Sequence, residues 1–537
     1  MWSEMKLRLL MPLLPLLLYG GGVAAAPNLA EEQVFRRGNA AEPQTLDPHK
    51  AEGIPTSNIL RDLYEGLVSE SADGRLVPGA AQSWNVSDDG LHYRFVLRAD
   101  ARWSNGDRVT AADFVRGLRR SADPATGSNY STVLTPILNA AEVISGALPP
   151  ESLGVQATAP DILDIQLQQP APYLLGLLTH SATYPIHGPS LAQHGAGFAR
   201  PGRLVSNGAF MLDEWQVQSH VSLKKNPHFH AADTVVLDRV IFYPTENPGA
   251  EFKRFRAGEL DWTDVVPTTQ LGWIRRNLAD EFHVSSYLGT YYYGLNLQRP
   301  PFAGNPELRR ALALAIDRKI LTERIVGAGQ QPAYSWVPPG VANYGAQVPD
   351  WASWSREQQL AEARRLYAAA GYGPERPLEV EIRYNTQSDH KKIAVTVAFM
   401  WKQALGVRTT LVNEEWKVFL QNRRFGKLTE VFRGAWISDY NDAYSFIELL
   451  TGGNNLNDTG YANPEYDRLV ELAGQEADPQ QRREWMQQAE RVMLEDQPII
   501  PIYFYVNARM VAKHVVGWQD NIMDHHPSRY VRILGDN

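Results

Sequence analysis

The sequence predicts a mixed α/β protein with more than one domain, and three observations carry that expectation. Its 537 residues, about 510 of them after removal of a leader, exceed what a single core usually holds, so two or three domains are expected. Strand-like alternation and helical periodicity follow one another along the chain without a fixed repeat or a low-complexity tract. Past the first 26 residues no apolar run approaches the roughly 20 residues needed to span a membrane.

In chain order, the first element is not part of the fold. MWSEMKLRLLMPLLPLLLYGGGVAAA has a basic start, a leucine-rich run and a small-residue end, the three parts of a secretory signal peptide. Pro12 and Pro15 break the apolar run, and Met5 is an alternative start. Cleavage is expected near Ala25, because a proline directly after the cut disfavours processing before Pro27. Loss of residues 1–25 removes Glu4, Lys6 and Arg8, leaving 50 basic against 59 acidic residues and a formal net charge of −9 in place of −8. That balance argues against nucleic acid or anionic lipid as the main partner. With no cysteine, the chain has neither a disulfide nor a lipid-modified cysteine, so the expected compartment is the periplasm, without a lipid anchor.

LHYRFVLRAD (91–100) alternates as a half-buried strand does, SNGD (104–107) is turn chemistry, and TAADFVRGLRRS from Thr110 has a capping threonine with Asp113 three residues on. ELRRALALAIDRKILTERIV (307–326) has the spacing of one amphipathic helix closing on Gly327, and QQLAEARRLYAAAGYG (358–373) that of a helix ending at Gly371. FRGAWISDYNDAYSF (432–446) separates Arg433 from Asp439 by small, apolar and hydroxyl residues. If this stretch is extended, residues 433, 435, 437 and 439 share a face, with the two charges up to roughly 20 Å apart.

Catalytic signatures are sparse. There is no G-x-S-x-G elbow, no H-E-x-x-H pair and no phosphate loop, and a thiol nucleophile is excluded. His228 with His230, and His525 with His526, are the candidate metal ligands, without a third ligand at a suggestive spacing. No enzyme activity, cofactor or metal is therefore expected. The 14 Trp, 23 Tyr and 17 Phe residues suit either a core or a cleft that accepts varied side chains.

Seven runs give the chain a family resemblance: GNAAEPQTLDPHKAEGIPTSNILRDLYEGL (38–67), LVPGAAQSW with WSNGDRVTAADFV (76–84 and 103–115), YLGTYYYGLN (287–296), EEWKVFL (414–420), AWISDYND (435–442) and YFYVNAR (503–509). In this order the mature chain resembles the family 5 extracytoplasmic solute-binding proteins of peptide ABC importers, and among them the oligopeptide binders. The resemblance implies a two-lobed periplasmic-binding-protein fold of the large peptide-binding class, with an extra inserted α/β domain. One lobe would combine 26–64, 189–288 and 505–537, the insertion 65–188, and the second lobe 289–504. It implies a monomer that encloses short peptides and delivers them to a membrane permease.

The site residues follow by the same resemblance. Asp439 would receive the ligand's α-amino group with help from Tyr130. Arg433 would meet the carboxylate, with His390 serving longer peptides, and Glu52, Trp416, Trp436 and Arg423 would line side-chain pockets. The bland alternative gives Asp439 a turn-capping role and Arg433 a structural ion pair. Departures from the pattern are Gly289 and Ile437 where relatives carry a cysteine pair, Val326 in place of a carboxylate-binding lysine, and Arg424 in place of a pocket histidine. Two adjacent arginines at 423 and 424 would suit a ligand with an extra carboxylate, such as a cell-wall tripeptide. An exported hydrolase or a chaperone remains the reading from another class.

Overall fold

The computed structural model describes residues 28–51, 53–128, 130–414, 416–424, 430–438, 440–454 and 456–535. The expected signal peptide, Glu52 and Asp439 lie outside the described residues, as do the side chains of Trp416 and Arg424.

The chain forms the two-lobed α/β fold, and its hydrophobic cores follow the lobes. In the first, strands Val34–Gly38, Arg239–Tyr243, His220–Lys225 and Phe210–Gln216 make a four-stranded sheet in that spatial order, the first pair parallel and the others antiparallel. A second, antiparallel sheet runs Ala81–Val86, His92–Leu97, Ile162–Gln166, Val155–Ala159. The helix Ala111–Ala122 packs on it, started by the capping box in which Thr110 and Asp113 satisfy each other's backbone N–H groups. Both sheets share one core containing Phe35, Leu60, Phe95, Trp103, Phe114 and Trp262.

The other lobe is built on a six-stranded sheet in the order Gln331–Pro332, Ile499–Met510, Phe282–Leu295, Val431–Ile437, Glu379–Asn385, Arg408–Glu414. Period-2 alternation sends successive residues of its central strands to opposite faces, so that one strand feeds two cores. Tyr291 and Tyr293 enter a core on one face with helices Pro306–Ala315, Arg356–Ala369 and Ser388–Leu405, while Tyr292 and Phe432 enter a separate core on the other with Pro464–Gln475 and Pro479–Asp496.

The helix expected over 307–326 is interrupted. It ends at Ala315, Ile316 turns to extended backbone (ψ 124°), and Asp317 caps a new turn by accepting from the Ile320 N–H at 3.1 Å. The reason is Arg318, fully buried, which donates to the carbonyls of Ala313 (3.1 Å), Ala333 (2.7 Å) and Pro501 (2.8 Å) and so satisfies the end of the first helix and two remote segments together. The remainder widens into a π-helical segment, Leu321–Val326, and stops at Gly327, whose φ of 73° a glycine adopts without strain.

Two strands cross between the lobes. Phe282–Leu295 and Ile499–Met510 pair antiparallel, but the ladder breaks between Ser286↔Val506 and Thr290↔Phe504, leaving Tyr287, Leu288 and Gly289 out of register. Side chains also bridge the lobes: Tyr173 packs against both the first lobe's core and one core of the second, and Met523 of the C-terminal tail is buried in that same second-lobe core. The Tyr173 ring stacks on Tyr440 (5.0 Å, 14°) and Tyr444 (5.3 Å, 15°), and Arg482, paired with Asp442 at 2.7 Å, lies 5.9 Å from its centroid.

Candidate ligand-binding cleft

The strand Val431–Ile437 is the spine of the candidate site. Along one edge it pairs with Phe282–Leu295 from Gly289↔Ile437 to Leu295↔Val431. On the other edge Glu379–Asn385 meets it only at Val431 and Phe432. From Arg433 to Ile437 that second edge has no ladder partner among the described residues. The alternation expected from the sequence is present: Phe432 and Gly434 are buried, whereas Arg433, Ala435 and Ile437 are half-buried on the opposite face.

At one end, Arg433 sits among tyrosines that converge from the two crossing strands. Its guanidinium lies 5.1 Å from the Tyr291 centroid and donates to the Tyr505 hydroxyl at 3.0 Å, while its enclosed Nε has no acceptor. Among the described residues no carboxylate lies within ion-pair distance of it, so the structural ion pair weighed from the sequence is not seen there. Burial opposes its charge, yet the oxygens of Tyr505, Tyr291 and Tyr503 leave its pKa above the ordinary value. His390, buried on the helix Ser388–Leu405, joins this cluster with its ring 5.5 Å from that of Tyr291. Burial, then Arg433, lowers its pKa to about 3, and its Nδ1 has no partner. The imidazole is therefore neutral beside a fixed cation, and the pair offers a place for an anion.

The strand's other end opens on a cavity of about 260 Å³ between the lobes, lined by Tyr130, Arg61, His180, Tyr287, Ser438 and His525 among others. Tyr130 stacks obliquely on His180, ring centroids 5.0 Å apart. Burial, then Arg61 and His525, lowers the His180 pKa to about 4. The structure thus groups Arg433 with His390 and places Tyr130 at the opposite end of the same strand.

The remaining expected residues are dispersed. Trp436 points into the second lobe, where its Nε1 donates to Ser445 Oγ at 3.2 Å. Arg423 is held by Asp458, Nε to Oδ2 2.6 Å, with both side chains largely buried, and lies over the rings of Phe419 and Phe432. Its charge is already compensated from within its own lobe. Trp416 opens the helix Trp416–Arg424.

Gly289 and Ile437 face each other across the ladder, and a Cβ on Gly289 would fall 2.2 Å from Ile437 Cδ1. The isoleucine occupies the space of its partner's missing side chain, so packing makes this connection. His230 bonds Glu65 at 2.9 Å, His525 bonds Glu70 at 2.7 Å and His526 bonds Asp524 at 3.0 Å. These histidines, weighed from the sequence as metal ligands, are each engaged with a carboxylate, and among the described residues no three His, Cys, Asp or Glu side chains gather as a metal site would need.

Sequence reasoning missed Arg61, His180, Tyr287 and Tyr173. None stands in a motif with chemistry of its own; Arg61 and His525 meet across 464 positions of chain.

Comparison with known proteins agrees with this architecture. Residues 75–458 match the model of the bacterial extracellular solute-binding proteins, family 5. The periplasmic oligopeptide-binding protein OppA of Escherichia coli is 38% identical over 499 residues, covering 92% of this chain and 91% of that protein. Among solved structures, the unliganded open form of the periplasmic murein tripeptide-binding protein MppA superposes with a TM-score of 0.86 at 36% identity, covering 95% of this chain and 99% of that one. OppA of Haemophilus influenzae in complex with RPPGFSPFR gives 0.77 at 36% identity, covering 94% and 100%. The chain therefore belongs to the bacterial extracellular solute-binding proteins of family 5.

Proposed function

We propose that the protein is the periplasmic substrate-binding subunit of an ABC importer, enclosing short peptides between its lobes and handing them to a membrane permease without catalysing a reaction on them. The carrying observation is the edge from Arg433 to Ile437, which among the described residues has no ladder partner, with a cation lacking an acidic partner among those residues at one end and a polar interlobe cavity at the other. An extended peptide added to that edge satisfies its backbone by strand addition, which is indifferent to side-chain identity. Its carboxylate then meets Arg433, and its ammonium meets Asp439 with Tyr130 beside it. Burying both termini costs desolvation, recovered only when each charge finds its partner.

In this reading the leader of residues 1–25 directs export, the protein acts as a monomer, and the lobes divide at 26–64 with 189–288 and 505–537, at 65–188, and at 289–504. The separate cores of 289–504 support setting that lobe apart, whereas the 65–188 insertion shares one core with 26–64 and 189–288. Closure about the two crossing strands encloses the ligand, and the closed form is what the permease receives. Asp439→Asn is expected to lower the affinity for a tripeptide at least tenfold, through loss of a charge-assisted contact of about 1.5–3 kcal/mol. Unchanged calorimetric affinity would remove Asp439 from the site.

A second reading, a specialised binder of murein tripeptide, is favoured by the fit to the open MppA structure. Mass spectrometry of molecules released on denaturing protein purified from its own periplasm separates the two. A mixture of peptides of two to five residues supports the general carrier; one cell-wall tripeptide supports the specialised binder, and neither supports the proposal if nothing peptidic is released.

A further inference from the structure

We propose that Arg61 is a specificity-determining residue that selects a carboxylate side chain at one of the first two positions of the bound peptide. The inference rests on the peptide reading above and concerns the cavity at the Tyr130 end. Arg61 stands in the last turn of the helix Ile54–Leu63, half-buried, and faces the cavity. A basic residue there also suits the helix C-terminus, but that role leaves its orientation open.

The orientation is set from behind. Arg61 Nη2 donates to His525 Nε2 at 2.6 Å, which places the imidazole proton on Nδ1, and that N–H donates to Glu70 Oε2 at 2.7 Å. Glu70 is buried, and although burial alone would raise its pKa, His525 and Arg61 bring it below the ordinary value, so it is ionised. The carboxylate thus steadies the guanidinium through a ring without touching it. Among the described residues Arg61 has no carboxylate within ion-pair distance, and its remaining donors stay available to the cavity.

Two other polar liners do not compete for an anion. Asp524 is bound to Arg509 and His526, and His180 is neutral down to a pH of about 4. The cavity is reached from Ile437 and Ser438, at the far end of the strand from Arg433. A peptide lying along that strand with its carboxylate toward Arg433 has its first residues here. A glutamate or aspartate side chain from one of them can take two parallel hydrogen bonds from a guanidinium already held in place.

The test is calorimetry with Ala-Ala-Ala, Glu-Ala-Ala, Gln-Ala-Ala, Ala-Glu-Ala and Ala-Gln-Ala on the wild type, Arg61→Gln and Arg61→Lys. At one of the two positions, glutamate is expected to bind about tenfold more tightly than glutamine. Arg61→Gln should bring that ratio close to one while changing the Ala-Ala-Ala affinity less than twofold, and Arg61→Lys should keep part of the preference. A wild type that binds all five peptides without distinguishing glutamate from glutamine overturns the inference and leaves the peptide reading standing. So does a preference that survives Arg61→Gln. Failure of every peptide to bind overturns the peptide reading and the inference with it.

Discussion

Two arginines mark the ends of the cleft, and their surroundings differ in kind. Arg61 is backed by an ionised carboxylate acting through a neutral imidazole, His525 between it and Glu70. Arg433 has only the Tyr505 hydroxyl, the face of Tyr291 and the neutral His390 around it. Both are cations oriented by neutral groups. The first has a counter-charge one ring away, and the second has none among the described residues, so a ligand anion should gain more at Arg433 than at Arg61.

The most severe way to break this comparison is Arg433→Met. For a tripeptide with a free carboxylate, calorimetric affinity is expected to fall about 10- to 100-fold, the worth of a charge-assisted contact. The C-terminally amidated peptide should bind wild type and variant alike; equal losses for both peptides would mean that the substitution damaged the cleft and not an anion site.

Next in size is Gly289→Ala, between the two ends. The added Cβ meets Ile437 Cδ1 at 2.2 Å and Tyr505 Cδ2 at 3.2 Å, and overpacking of this kind costs about 1–3 kcal/mol. Chemical denaturation of the single variant and of Gly289→Ala with Ile437→Ala should show the second substitution recovering stability. If the two losses simply add, the side chains do not share the space.

Tyr505→Phe removes one hydrogen bond from Arg433 and retains the ring, so peptide affinity should change by about 0.5–1.5 kcal/mol, less than for the arginine itself. An effect as large as that of Arg433→Met would assign the anchoring to the hydroxyl.

The effect that is smallest near neutral pH concerns His390. Its pKa is held near 3 in the fold against an ordinary value near 6.5, so on acidification the unfolded chain takes up a proton that the native protein refuses. This contribution to stability is present above about pH 6.5 and declines toward pH 3. Melting curves of the wild type and His390→Gln should converge or cross as the pH falls through that window. Parallel pH dependences would show an imidazole that titrates normally.

How much of this was legible in the sequence depends on the distance over which each feature is decided. The capping box of Thr110 and Asp113 and the alternation of Val431–Ile437 are decided within a few residues, and both were readable. The break at Ile316 was not, because Arg318 bonds carbonyls as remote as Pro501. The surroundings of Arg433 were hidden for the same reason: Tyr291, Tyr503 and Tyr505 become neighbours only through pairing of the crossing strands. His525 and His526 drew attention as a possible metal pair, yet Glu70 and Asp524 occupy them as separate hydrogen-bond partners. The family resemblance named the strand, but Arg423 shows its limit: the residue is present and its charge is spent on Asp458.

Tyr173 has a mechanical consequence. Beyond the crossing strands, this ring is in contact with both cores, in company with other side chains at the junction such as Met523. Any separation that parts it from Tyr440 and Tyr444 wets the stacked faces, at about 25 cal/mol for each Å² of apolar surface exposed. The ring is then a latch, and how firmly it holds follows from the area it covers.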